Sequence, residues 1–179
     1  MGTDAFGFLE YRHFGEAVWH GEHLEFWHMR HYKMFDAIAG GRTGRQTALI
    51  PPRGIPKDCS QELMQRQFFV IASEADKLRR LENLPRGALK KVIDPANVPE
   101  DYTVITAPNG DRYANWNGFF EGHPDSGNAT WLDTNELQAC FNHIGQKTLQ
   151  HEWHDLLVRM HTIEHEGGRA RLVIWFTLW

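Results

Sequence analysis

The chain has 179 residues, of which 41% are hydrophobic and 23% charged, with a formal net charge of -4. That length and apolar content suffice for one well-buried core and argue against extended disorder. The acidic balance argues against general nucleic-acid binding, which needs a positive footprint along the phosphate backbone. Cys59 and Cys140 lie far apart and offer no disulfide framework, which fits a reducing compartment. The start, Met1-Gly2-Thr3-Asp4, lacks the basic and apolar pattern of a secretion signal, and Phe6 stands where a myristoylation signal has Ser or Thr. The longest apolar run, residues 172–179, is too short to span a bilayer. A cytoplasmic protein without membrane association is the expectation.

In chain order, Ala5 to Tyr11 alternates and is rich in aromatics, and with Ala17-Val18-Trp19 beyond the Phe14-Gly15 turn it predicts a hairpin. Met34, Phe35, Ile38 and Ala39 have helical spacing, closed by Gly40-Gly41. Residues 40–58 form a long connection stiffened by Pro51, Pro52 and Pro56. Asp58 with Gln61 reads as a capping box ahead of one helix over residues 59–81, and a short helix is expected at residues 88–92. Tyr102 to Thr106 and Arg112 to Trp116, joined through Pro108-Asn109-Gly110-Asp111, predict a second hairpin. A polar loop follows over 118–130. Asp133 and Glu136 form a capping box for a helix ended by Gly145. A last helix runs over 147–166, stopped by Gly167-Gly168, and residues 171–179 read as a buried strand. Without a linker or repeat, residues 1–179 are expected to form a single α+β domain. Its antiparallel or mixed sheet includes the N-terminal hairpin and the C-terminal strand, with about four helices packed on it.

Three groupings of residues suggest chemistry. Arg42, Arg45 and Arg53 fall within twelve residues, among Gly40, Gly41, Gly44 and Gly54. Glycine lets backbone N–H groups approach an anion, and guanidinium adds planar bidentate donors suited to phosphate or carboxylate. The alternative is a solvated loop whose arginines pair with nearby carboxylates such as Asp58 or Glu62. On the last helix, His151, His154, His161 and His165 fall within an arc of about 80°. His161 and His165 have the i, i+4 spacing of paired zinc ligands, but the His-Glu-x-x-His pattern is missing there and a third ligand must come from His123, His143 or Asp4. A polar seam of ordinary histidines accounts for the stripe equally. His123, Asp125 and Ser126 sit too close in sequence for a triad and read as a polar turn, with His123 as the member to retain. Trp19, Phe26, Trp27, Tyr32 and Phe35 suit either a core or a stacking wall for a base.

Several stretches resemble a family of uncharacterised phage and prophage proteins. That family typically opens Met-Gly-Cys-Asp-Ile-His, and the chain opens Met1-Gly2-Thr3-Asp4-Ala5-Phe6. The family segment Arg-Asn-Tyr-x-x-Phe-x-x-Leu-Ala is similar to Arg30 through Ala39, and Pro-Arg-Gly-Leu-Pro-x-Asp-x-Ser to Pro52 through Ser60. Weaker similarity extends to Gly122-His123, residues 131–137 and residues 171–176, while residues 62–115 match nothing in the family. Thr3 and Phe6 replace the family's Cys and His, so a thiol or metal role at those positions cannot operate here. The resemblance implies a phage-type, host-directed accessory role in the bacterial cytoplasm, including counter-defence. Together these readings predict a binding protein without a cofactor or a resident metal, and leave enzymatic activity open. An anionic, nucleotide-type ligand would meet Arg42, Arg45, Arg53, Gly54, Tyr32 and His123. Direct inhibition of a host or defence protein, whose acidic surface would meet the arginines, with homo-oligomer formation open, is the alternative. A His-based metal-dependent hydrolase is the second.

Overall fold

A computed structural model describes residues 3–26, 28–40, 48–82 and 91–178. Within them the α+β expectation holds: eight strands form two four-stranded sheets, and six α-helices pack around them. The first sheet has the order β2-β1-β8-β7, with β1 (Thr3–Arg12) and β8 (Arg169–Leu178) at its centre, β2 (His20–Leu24) at one edge and β7 (Thr130–Asp133) at the other. All its pairings are antiparallel. The two ends of the chain therefore supply the central strands, which is why the apolar run near the C-terminus is buried.

Alternation along β1 and β8 sends successive side chains to opposite faces. On one face, Ala5, Leu9, Leu172, Ile174 and Phe176 form a core with Leu132 and with α1 (Tyr32–Ala37), α5 (Thr134–Ile144) and α6 (His151–His165). On the other, Phe8, Val173 and Trp175 meet α2 (Gln61–Gln67), α4 (Asn117–Glu121) and the second sheet. That second sheet has the order β4-β3-β6-β5, from β3 (Phe69–Ile71), β4 (Val92–Ile93), β5 (Tyr102–Thr106) and β6 (Arg112–Trp116). It is mixed, because β3 pairs parallel with β4 and antiparallel with β6.

The structure revises several local expectations. The single helix over residues 59–81 is instead α2, β3 and α3 (Glu74–Glu82). Phe68-Phe69-Val70-Ile71 is a run of aromatic and β-branched residues, which favours extended chain, and its pairing with Tyr113 and Ala114 outweighs helix continuation. The cap of α2 is Ser60, whose Oγ accepts from Leu63 N at 3.3 Å, rather than Asp58. Val92 belongs to a strand, and residues 83–90, which hold most of the expected short helix, lie outside the described residues. The loop over 118–130 contains most of α4 and a 3-10 turn at Pro124–Ser126. The second strand of the N-terminal hairpin begins at His20 rather than Ala17. The second hairpin and the Asp133/Glu136 capping box stand as expected.

Candidate functional site

The Pro-Arg-Gly segment is a clasp between the long connection and α4. Gly54 has φ 79°, and a Cβ there would lie 1.9 Å from the Phe120 carbonyl oxygen. Gly122, at φ 68°, would push a Cβ to 2.7 Å from the Pro52 carbonyl carbon. Only glycine allows the two backbones to approach this closely. Gly54 N donates to Ala129 O at 2.8 Å and Ile55 N to Phe119 O at 2.9 Å, fixing the segment.

Arg53 is held there as a structural clamp. Its Nη1 donates to Glu136 Oε2 at 2.9 Å and its Nη2 to Glu136 Oε1, a bidentate pair at the start of α5. The guanidinium also lies 4.9 Å from the Trp131 ring centroid. The hydrogen bonds to Glu136 hold its pKa above the ordinary arginine value. The carboxylate partner is Glu136, not Asp58 or Glu62, and an incoming anion would have to displace it. Arg42 and Arg45 lie outside the described residues. Gly54 contributes its backbone turn, and Gly122, which precedes His123, packs its backbone against Pro52 and Gly54. The His123 ring meets Trp116 edge-on at 5.2 Å, and its Nδ1 accepts from Asp125 N at 3.2 Å. Tyr32 opens α1, half-exposed and edge-on to Phe35.

Along α6, His154 packs edge-on against Phe141 at 5.4 Å, while His151, His161 and His165 are exposed. Among the described residues, no three His, Cys, Asp or Glu side chains converge as a metal site. Both cysteines are buried, and burial pushes the Cys140 thiol up to about 12 and that of Cys59 well above its ordinary value. Neither is poised as a thiolate nucleophile.

A different cluster occupies the charged end of the first sheet. Glu10 stands opposite Arg171 across β1 and β8, and Asp133 stands opposite Arg171 on its other side. Glu10 is fully buried; its Oε2 accepts from Arg171 Nε at 2.8 Å and its Oε1 from Ser60 N at 2.6 Å. Burial pushes the Glu10 carboxyl up, opposed by Arg171 and the Ser60 N–H. Arg171 also donates through Nη1 to Asp58 Oδ1 at 3.0 Å, and Trp19 Nε1 donates to Asp58 Oδ2 at 3.0 Å. Burial disfavours the charge on Asp58, but Arg171 and the Trp19 N–H outweigh it and hold its pKa below the usual range. Trp19 is stacked on by two guanidinium groups, with Arg171 Cζ 4.0 Å and Arg12 Cζ 4.8 Å from the ring centroid.

One register step outward, Arg12 and Arg169 stand directly opposite each other on the same face of the sheet. Like charges in that position destabilise a strand pair. Among the described residues, neither has a carboxylate partner. Both open into a cleft of about 620 Å³, which Trp19, Trp131, Asp133 and Glu164 also line. That volume lies within the range of about 300–1,000 Å³ typical of small-molecule sites. Sequence reasoning passed over Arg12, Arg169 and Arg171. The available signal was charge at complementary ends of two alternating strands: Glu10 and Arg12 close the first, and Arg169 and Arg171 open the last.

No protein-family model, curated protein or solved structure matches the chain. Among the described residues, no helix is long and apolar enough to cross a membrane.

Proposed function

We propose that this protein binds a small, nucleotide-type ligand through an anionic group, and that the ligand sits in the cleft at the charged end of the first sheet. One observation carries the reading: Arg12 and Arg169 face each other without carboxylate partners at the mouth of a cleft walled by indole rings. Two adjacent guanidinium groups present parallel N–H donors to one phosphate or carboxylate. Beneath them, Arg171 is neutralised by Glu10 and Asp58 and keeps Trp19 in place, so the wall is rigid before a ligand arrives. Trp131, with Arg53 stacked on it, offers an aromatic surface of the kind on which bases stack. Arg53 thus supports the site from behind rather than meeting the ligand. The resemblance to phage proteins gives the binding a host-directed, counter-defence setting.

The reading is tested by calorimetric titration of the purified protein with nucleoside monophosphates. Binding should weaken roughly tenfold or more in Arg12→Ala and in Arg169→Ala, the loss of one charge-assisted contact. Unchanged binding in both variants would move the ligand away from this cleft.

Direct inhibition of a host or defence protein is favoured by a separate feature. Phe14 is 85% exposed and Val18 41% exposed on the turn between β1 and β2. An apolar tip of that kind suits a protein partner. Phe14→Asp should then abolish co-purification of one specific host protein while leaving nucleotide titrations unaltered.

A further inference from the structure

We infer that the ligand of this cleft is bipolar: a nucleoside monophosphate whose base presents adjacent N–H donors, guanine above all, and not a nucleoside polyphosphate. The inference rests on the cleft reading and follows from the charges that share the lining with Arg12 and Arg169. Three arginines border the cleft, Arg12, Arg169 and Arg171, together with three carboxylates, Asp58, Asp133 and Glu164. The lining is therefore balanced in charge. Arg171 is already bonded to Glu10 and Asp58. Only Arg12 and Arg169 remain to receive an anion, enough for one phosphate group. Further phosphates would be brought toward Glu164 and Asp133, where like charges repel.

The acidic side is also selective. Asp58 has both oxygens engaged, one by Arg171 and one by Trp19. Asp133 spends Oδ1 on the Glu136 N–H of the helix cap, which leaves Oδ2 as an acceptor. Among the described residues, the Glu164 carboxylate, exposed at the end of α6, has no ion-pair or hydrogen-bond partner. Asp133 Oδ2 and the exposed Glu164 carboxylate are acceptors open to N–H donors from the other end of a ligand whose anion sits on Arg12 and Arg169. Asp133 is the diagonal neighbour of Arg169 across β7 and β8, about 7–8 Å away at the backbone, so acceptor and anion site are separate points on one wall. Of the common bases, guanine alone offers an N–H and an amino group side by side on one edge, the arrangement a carboxylate accepts.

Titration calorimetry with GMP, IMP, AMP, UMP, GDP and GTP tests this on the intact protein, alongside Arg169→Ala, Glu164→Gln and Asp133→Asn. Asparagine retains helix capping at position 133. GMP should bind roughly tenfold or more tightly than AMP or UMP, and GTP no more tightly than GMP. Glu164→Gln or Asp133→Asn should narrow the gap between GMP and AMP, whereas Arg169→Ala should weaken all monophosphates together. Equal binding of all monophosphates, lost in Arg169→Ala, would overturn guanine selection and leave the cleft reading intact. Tighter binding of GTP than GMP, lost in Arg169→Ala, would overturn the charge-balance argument alone. Absence of binding by every nucleotide, or binding insensitive to Arg169→Ala, would overturn both.

Discussion

The two faces of the first sheet are built from the same two central strands, yet only one of them carries a charged end. Toward the helices, β1, β8 and β7 present Ala5, Leu9, Leu172, Ile174, Phe176 and Leu132, all buried. The opposite face is graded. Phe6 and Trp175 face each other at one end, Phe8 and Val173 come next, then Glu10 and Arg171, and finally Arg12 and Arg169. Because β1 and β8 run antiparallel, the C-terminal charges of one meet the N-terminal charges of the other. The second sheet and α2 cover the apolar part of this face, and the charged end stays open to a cleft. Charge is thus concentrated where the covering layer stops, so the hydrophobic core is not interrupted by the cleft.

That comparison can be broken at its seam. Arg171→Ala should have the largest effect, a loss of about 3–5 kcal/mol, because Glu10 is left as a buried charge without its partner. The deficit should narrow on acidification. A carboxyl whose pKa is raised by folding favours the folded state increasingly as pH falls through that pKa, and Glu10 is such a group. Asp58 acts in the same direction: its depressed pKa stabilises the native protein above the unfolded-state value, and this contribution is lost as pH falls through the folded one. Removing Arg171 takes away a charge that lowers the Glu10 pKa, so the variant gains more than the wild type as Glu10 protonates, while the Arg171 contribution to Asp58 that the wild type loses is one the variant lacks. Denaturant midpoints at neutral and acid pH measure both parts, and a deficit that widens at acid pH would contradict the assignment.

On the apolar rows, Ile174→Ala and Trp175→Ala probe opposite faces of one strand. Each should cost about 2–5 kcal/mol as a large-to-small core change, read as a drop in melting temperature. A Trp175 variant that melts like the parent would show that the second layer is not packed as described. Smaller still is Arg53→Ala, which removes a half-buried bidentate pair and should cost about 1–3 kcal/mol. Its ligand affinity should change much less than that of Arg169→Ala. A stable Arg53→Ala variant with abolished binding would restore the Pro-Arg-Gly segment as the recognition loop. At the bottom of the scale, Arg169→Ala should alter stability by no more than about 0.5 kcal/mol, since it removes a like-charge contact and no ion pair.

Much of the fold was legible because its signals are local. The alternation of the terminal strands, the Pro108-Asn109-Gly110-Asp111 turn, and the box of Asp133 with Glu136 each involve residues within a few positions of one another. The helix expected over 59–81 failed because its period continued through a stretch whose extended form is selected by β6, more than forty residues later in the chain. The candidate site was legible only in fragments. Trp19 is legible as a hairpin residue of an aromatic cluster, and Arg53 as a loop cation whose candidate partners are an anion, Asp58 or Glu62, but neither the Asp58–Trp19 contact nor Glu136 is.

By itself, then, the sequence determined that the two ends of the chain are strands, where α5 begins and ends and where α6 stops, because periodicity, caps and turns act over a single turn or pleat. Tertiary structure alone decided which charges are spent and which are free. Arg53 finds Glu136 across 83 positions and Arg171 finds Glu10 across 161. Arg12 and Arg169 face each other only because β1 and β8 pair in one register. A shift of one residue would send every side chain of either strand to the other face. No local pattern encodes that register; burial of the two cores on either side of the sheet selects it.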